Sequence, residues 1–318
     1  MLTVSVIIPT KNESQDIRET IETCLRLDGP LKEIIVVDDS DDDTPEIIRG
    51  FADERVILAH RPVNRNGCCG ARSEGLRTAR GEISVLMNAD ARPSPDLLTR
   101  MIPHYENGAD FLVIGSRVRN RENMWGSYIQ ARTNHYSVAL QEWSEGFSCR
   151  TAAAAGLQDF PGDYPVPFCR DYLLGAALRA AGFRRAFDAS ITIEHVAPDT
   201  LRTYWKALVW RGTFLAPTVY FIRRRTVSYT IVWTSLKALY ELAQVCTIAA
   251  LLARAIRLKR LLGHDGSVHS LFLAESLTRL AIAAGNIKGL FLLLRHIGGQ
   301  LRAGLGHREP SARGLENP

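Results

Sequence analysis

Several features that would restrict this chain to a compartment or a scaffold are missing. Its six cysteines, Cys24, Cys68, Cys69, Cys149, Cys169 and Cys246, form no CxxC pair and no framework spacing. That argues against a disulfide framework and points to a reduced, cytosolic chain. No basic stretch precedes the opening Met-Leu-Thr-Val-Ser-Val, which enters a strand at once, so a signal peptide is not expected. No uncharged run approaches the roughly 20 apolar residues of a membrane span. The longest, residues 242–253, is bracketed by Glu241 and Arg254, and Lys288 and Arg295 interrupt the last apolar segment. Internal repeats are absent. The loop after the first strand, Pro-Thr-Lys-Asn-Glu-Ser, holds no glycine. A nucleotidyltransferase would need a Gly-rich loop there to wrap phosphates, so that class is disfavoured.

The composition is that of a globular protein, with 46% hydrophobic and 23% charged residues. Charge is unevenly spread. Residues 1–220 carry 25 Lys+Arg against 29 Asp+Glu, and residues 221–318 carry 14 against 5. The basic part is mostly apolar with interspersed arginines, a pattern that fits an anionic membrane face better than a groove tracking phosphates. A nucleic-acid partner is therefore not expected.

Strand and helix signals alternate through the first 115 residues. Short β-branched runs at 3–8, 33–37, 56–59, 83–87 and 110–115 read as strands, and 14–27, 67–80 and 95–105 as helices. Ile17, Ile21, Cys24 and Leu25 share one helical face. Thr44-Pro45 reads as an N-cap followed by proline in the first turn. The alternation implies an α/β fold with a mainly parallel sheet and helices on both faces. Further on, 125–140 and 171–181 read as helices, the latter closed by Gly182. Residues 146–149 and 187–193 read as strands, and the chain is helical from Thr200. The organisation expected is a catalytic domain over 1–215, a helical membrane-associating region over 216–305 and a disordered tail over 306–318.

Carboxylates at the ends of buried strands draw attention, because open α/β sheets bind ligands there. Asp38 and Asp39 abut the strand 33–37, and Asp39 is the better candidate for a nucleobase or sugar hydroxyl. Asp41, Asp42 and Asp43 read as solvated surface. Asn88-Ala89-Asp90 ends the strand 83–87. Glu13 stands in the first loop, where it serves either a ribose or merely the helix dipole.

The motifs SVIIPTKNE, IIVVDDSDDDT, NRNGCCGARSEGLRTARGEISVLMNADARP, GADFLVIGSR and FCRDYLLGAALRAAGFRRAF followed by EHV occur in this order. Together they resemble the inverting glycosyltransferases of family 2, on the GT-A fold, over roughly residues 3–212. The resemblance implies a nucleotide-sugar donor held by Pro9, Thr10, Glu13 and Asp39. It places Gly67, Gly70, Arg72 and Ser73 beside the nucleotide, with Asn88 and Ala89. The family's metal motif is Asp-x-Asp; here the first acid is an amide, so Asp90 is implied as the ligand of Mg2+ or Mn2+, with His195 after the last strand closing the site. Diphosphate oxygens and water complete such an octahedron, so one or two protein carboxylates suffice.

The family's base lies in a Glu-Asp pair at a helix start. Here the pair reads Arg170-Asp171, leaving Asp171 as the base, with a plain N-cap as the alternative role. Arg170, Trp210 and Arg211 are candidates for acceptor or diphosphate contacts, with Trp143 and Trp205 behind them. Cys68 and Cys69 read as small buried residues. The implied reaction is transfer, with a UDP-sugar favoured, to a lipid-linked or glycan acceptor by a protein lying peripherally on the cytoplasmic membrane face. A polyprenyl-phosphate glycosyltransferase and a non-catalytic nucleotide-binding module are the alternatives.

Overall fold

The computed structural model describes residues 2–60, 67–135, 145–155, 157, 172–263 and 266–302. The chain divides into two compact units. The first comprises Met1–Arg119 and Tyr136–Val196, the second Asn120–His135 and Ala197–Pro318. This packing boundary does not coincide with a cut at residue 215.

The first unit is an eight-stranded sheet with helices on both faces. In chain order its elements are β1 (Val4–Thr10), α1 (Ile17–Leu25), β2 (Leu31–Asp38), α2 (Thr44–Arg49), β3 (Val56–His60), α3 (Gly67–Thr78), β4 (Ile83–Leu86), β5 (Ala91–Pro93), α4 (Leu97–Glu106) and β6 (Phe111–Val118). After α5 (Met124–His135), which belongs to the second unit, come β7 (Ser148–Arg150), α6 (Thr151–Ala155), α7 (Tyr172–Ala180) and β8 (Arg185–His195). Strand order is β3-β2-β1-β4-β7-β6-β8-β5. The β3-β2-β1-β4 half is parallel, as the alternation predicts. The other half is mixed: β7 runs antiparallel to both β4 and β6, and β5 antiparallel to β8.

All seven residues of β1 are buried. A strand covered on both faces needs no polar alternation. Its side chains split by the two-residue period: Val6 and Ile8 join Ile17, Ile21, Ile34 and Val36, while Ile7 joins Leu76, Leu86, Phe111 and Phe147. The apolar stripe expected on α1 is confirmed at Ile17, Ile21 and Cys24. Helix α3 lies close on β1 because Gly75 has no side chain; a Cβ there would overlap Ile7 Cγ2. Gly182 ends the α7 turn at φ +87°, the left-handed backbone expected of a C′ glycine.

Three details depart from expectation. The N-cap of α2 is Asp43 rather than Thr44. Asp42 is not merely solvated: its carboxylate accepts from the Thr44 N–H at 3.0 Å and hydroxyl at 2.5 Å. Cys68 is disulfide-bonded, whereas Cys24, Cys69 and Cys149 are buried thiols and Cys246 an exposed one.

The second unit is helical. It holds α5, α8 (Leu201–Thr213), the short α9 (Leu215–Pro217) running into a π-helical turn (Thr218–Ile222), α10 (Val227–Cys246), α11 (Ile248–Leu262) and α12 (Val268–Arg302). Its core stacks Trp125 of α5 on Tyr204 of α8 at 4.4 Å between ring centroids, with Tyr128 edge-on to the same ring at 6.2 Å. Helices α8 and α12 touch backbone to backbone: a Cβ on Gly212 would meet the Ile282 carbonyl oxygen at 2.6 Å. Helices α10 and α11 bend by 84° at Thr247. Among the described residues, α12 is long and apolar enough to cross a membrane over Val268–Gln300, despite Lys288 and Arg295, though 39% of its most apolar window is buried in the protein.

Candidate active site

The candidate residues of the first unit gather at the carboxyl ends of β1, β2, β4 and β8. Two loops are stitched together first. Asn12, in the left-handed region at φ 58°, donates its backbone N–H to Ser40 Oγ at 2.7 Å and accepts the Asp41 N–H on Oδ1 at 3.0 Å. Asparagine tolerates that backbone better than most residues. Glu13 N–H donates to Thr44 Oγ1 at 3.0 Å, and Asp39 N–H to the Thr10 carbonyl at 3.0 Å. These bonds fix the β1 and β2 loops as one wall.

Asp38 and Asp39 then take different roles. Asp38 is fully buried and occupied, accepting from Ser40 Oγ at 2.5 Å and paired with His60 Nδ1 at 2.8 Å. Asp39 follows on the same strand end, 9% exposed. Pro9 sits within the β1–β2 ladder opposite Val37, and the buried hydroxyl of Thr10 has no partner among the described residues.

The neighbouring wall is Asn88-Ala89-Asp90. The Ala89 carbonyl accepts from Thr20 Oγ1. Thr20 also accepts from Arg92 Nη1 at 2.6 Å, and Arg92 Nη2 reaches Asp16 Oδ1 and Glu19 Oε2, each at 2.9 Å. Arg92 thus ties the loop and β5 to α1, a role for which the sequence carries no local signal. Strand β5 sets Ala91 opposite His195 of β8, which brings His195 beside Asp90. Burial raises the Asp90 carboxyl above its ordinary value, opposed chiefly by His195. Glu13 is pushed up to about 7, first by burial and then by the charges of Asp90, Asp16 and Asp42. Glu13, Asp90 and His195 therefore form one electrostatic cluster with an excess of acid.

Arg72 and Asn88 also meet, and a residue missed in the sequence, Glu145, holds Asn88 from its other side. Arg72 Nη2 donates to Asn88 Oδ1 at 2.6 Å, and Asn88 gives both its backbone N–H and its Nδ2 to the Glu145 carboxylate at 2.6 Å each. Glu145 lies 57 residues from Asn88, in no motif. Gly67 opens α3 at φ +62°. Ser73, one residue from Arg72, has a buried hydroxyl without a partner among the described residues.

Trp210 and Arg211 lie on α8 of the second unit, both exposed; Trp210 packs edge-on against Phe214 at 4.8 Å. Trp205 is on the same helix. Asp171, Arg170 and Trp143 fall outside the described residues.

Among the described residues no three His, Cys, Asp or Glu side chains come together as a metal cage. The chain offers instead Asp90 beside His195, with Glu13 near. An acid held uncomfortably above its ordinary pKa is what an added cation would relieve. The donor set fits Mg2+ or Mn2+ only as half a shell, needing oxygens from a ligand.

A mixed α/β sheet with flanking helices, followed by a helical region, is the fold of GT-A glycosyltransferases. The mannosyltransferase PcManGT of Pyrobaculum calidifontis, solved in complex with GDP-Man and Mn2+, superposes with a TM-score of 0.52 at 20% identity, over 94% of this chain and 81% of that one. Residues 5–159, a little under half of the chain, match the model of glycosyl transferase family 2. A dolichol-phosphate mannosyltransferase of Pyrococcus furiosus is 35% identical over 119 residues, covering 36% of this chain and 33% of the relative. An undecaprenyl-phosphate 4-deoxy-4-formamido-L-arabinose transferase of Proteus mirabilis is 32% identical over 130 residues, covering 38% and 39%. The chain thus matches little more than a third of these relatives' lengths.

Proposed function

We propose that this protein is a metal-dependent inverting glycosyltransferase. It moves a sugar from a nucleotide-sugar, a UDP-sugar favoured, to a lipid-linked or glycan acceptor at the cytoplasmic face of a membrane. The observation that carries this reading is the acid cluster at the ends of β1 and β4, where Glu13 and Asp90 are both held above their ordinary pKa beside His195. Such a pocket favours a divalent cation arriving with a diphosphate.

In this reading Asp39 and the Thr10 hydroxyl hold the nucleoside, and Asp90 and His195 hold Mg2+ or Mn2+ with the diphosphate. The cation supplies charge neutralisation at the leaving diphosphate. Arg72, at 4% exposure, fixes the Asn88 amide beside this wall. Asp171 takes the proton from the acceptor, and Arg170 bears on which acceptor is taken.

A polyprenyl-phosphate acceptor is the second reading. It is favoured by the names of the two relatives, whose acceptors are dolichol phosphate and undecaprenyl phosphate. A peripheral membrane seat is supported by α10 and α11. They expose Ile231, Val232, Leu236, Leu239, Ile248 and Leu252 beside Arg and Lys.

Calorimetry of UDP binding with and without Mn2+ tests the core of this reading. Asp90→Ala is expected to lose the Mn2+-dependent part of the affinity. Asp171→Ala is expected to keep donor binding and lose transfer by about a hundredfold or more. UDP binding indifferent to Mn2+ in the unaltered protein would point to the non-catalytic alternative, and unimpaired transfer by Asp171→Ala would remove the base. A phosphodiester-linked sugar lipid as product would select the polyprenyl-phosphate acceptor.

A further inference from the structure

Asn88 is held from both sides with a defined polarity. Its Oδ1 faces the Arg72 guanidinium at 2.6 Å and its Nδ2 faces the Glu145 carboxylate at 2.6 Å. The second Glu145 oxygen takes the Asn88 backbone N–H at 2.6 Å. An amide is the side chain that presents an acceptor to a cation and a donor to an anion at once. An aspartate at this position would set two carboxylates at that 2.6 Å spacing, and like charges so close cannot both stay ionised. Glu145 and Arg72 are 9% and 4% exposed, so water does little to screen them. The amide at position 88 and the carboxylate at position 145 therefore require each other.

From this we infer that Glu145 carries the carboxylate that the Asn88-Ala89-Asp90 loop lacks at its own first position, and that it acts as a positioning residue for Asp90. The charge sits across the strand end from residue 88, on its hydrogen-bond partner. Glu145 clamps the backbone and side chain two residues before Asp90, and Arg72 closes the chain from α3. The loop is thereby held at both of its polar groups while Asp90 stays available. The positioning role rests on the function proposed above; the exchange of polarity between 88 and 145 does not.

A reciprocal swap tests both. In Glu145→Gln the new amide can accept the backbone N–H but turns its NH2 toward that of Asn88. In Asn88→Asp two carboxylates meet. In the double variant N88D/E145Q, the introduced glutamine donates its Nε2 to the introduced aspartate. That carboxylate also accepts from Arg72, and the glutamine oxygen accepts the position-88 backbone N–H, so every bond is restored, with polarity reversed only between the two side chains. The melting temperature of the four proteins, free of metal and nucleotide, should fall in each single variant and recover in the double. Additive losses would overturn the exchange. The dissociation constant of Mn2+ in the presence of UDP, read by electron paramagnetic resonance, should weaken about tenfold in E145Q and recover to within about threefold in the double variant. Recovery of stability without recovery of Mn2+ affinity would overturn the positioning role alone. Absence of Mn2+–UDP binding in the unaltered protein would overturn the proposed function and this role, while the exchange would still be decided by the melting temperatures.

Discussion

Glu13 gives the residue scale its clearest prediction. Its carboxyl titrates near 7 in the fold against an ordinary 4.5, mainly because it is buried and then because Asp90 lies near. Between those two values the folded chain keeps a proton that the unfolded chain has shed. Stability must therefore fall as pH rises from about 4.5 to about 7, and level off above. Glu13→Gln removes that slope. The melting temperature of E13Q should exceed that of the unaltered protein at about pH 8, and the two should converge below about pH 4.5. Parallel curves would show that Glu13 is not so perturbed. Residues of this kind were partly legible in the sequence. Glu13, Asp39 and Asp90 follow apolar runs closely, so their place at strand ends could be read off. Glu145 could not, because it acts across 57 residues and precedes a strand of only three. Arg92 was hidden too: an arginine beside a proline reads as loop, yet it is buried by its ion pairs to Asp16 and Glu19.

At the scale of elements, what could be read depended on length and covering. Strands β1, β2 and β4 announce themselves as unbroken apolar runs because helices cover both their faces. Strand β5 is three residues with a terminal proline at the sheet edge, where proline is tolerated, and no periodicity exists over so short a run. Strand β7 is equally short, and its antiparallel direction has no local signal at all. In the helical unit, the contact between α8 and α12 depends on Gly212, Gly285 and Gly289. A Cβ at Gly285 would overlap the Val209 carbonyl oxygen and approach Gly212 Cα at 2.7 Å. Backbone cannot yield as a flexible side chain does. Gly285→Ala should destabilise the protein by about 1–3 kcal/mol despite alanine's better helix propensity. Urea denaturation reads this directly, and a stabilised G285A would show that the helices do not meet this closely.

For the molecule as a whole, the uneven spread of charge matters most. Residues 221–318 carry 14 Lys+Arg against 5 Asp+Glu, and within them aromatic rings sit under cations. Lys237 Nζ lies 5.5 Å from the rings of both Trp233 and Tyr240, and Arg225 lies 5.4 Å from that of Tyr229. Such pairs present an amphipathic face suited to anionic headgroups. The protein should co-sediment with vesicles containing phosphatidylglycerol far more than with neutral phosphatidylcholine vesicles, and the bound fraction should drop as NaCl rises from about 0.1 M to about 1 M. Equal binding to both vesicles at all salt concentrations would remove the electrostatic part of the membrane reading.

The way the chain weaves between its two units also governs how it can be shortened. Stopping translation after residue 215 would keep α5 and α8 but discard α11 and α12. The faces of Trp125, Tyr128, Tyr204 and Leu208 would then lose Ala255, Leu258, Leu271 and Ala274. That leaves a sticky aromatic flank, and inclusion bodies are the expected harvest. A soluble fragment calls for a different surgery: end at Val196 and remove α5 as well, so that each helix leaves together with the partners that keep it dry.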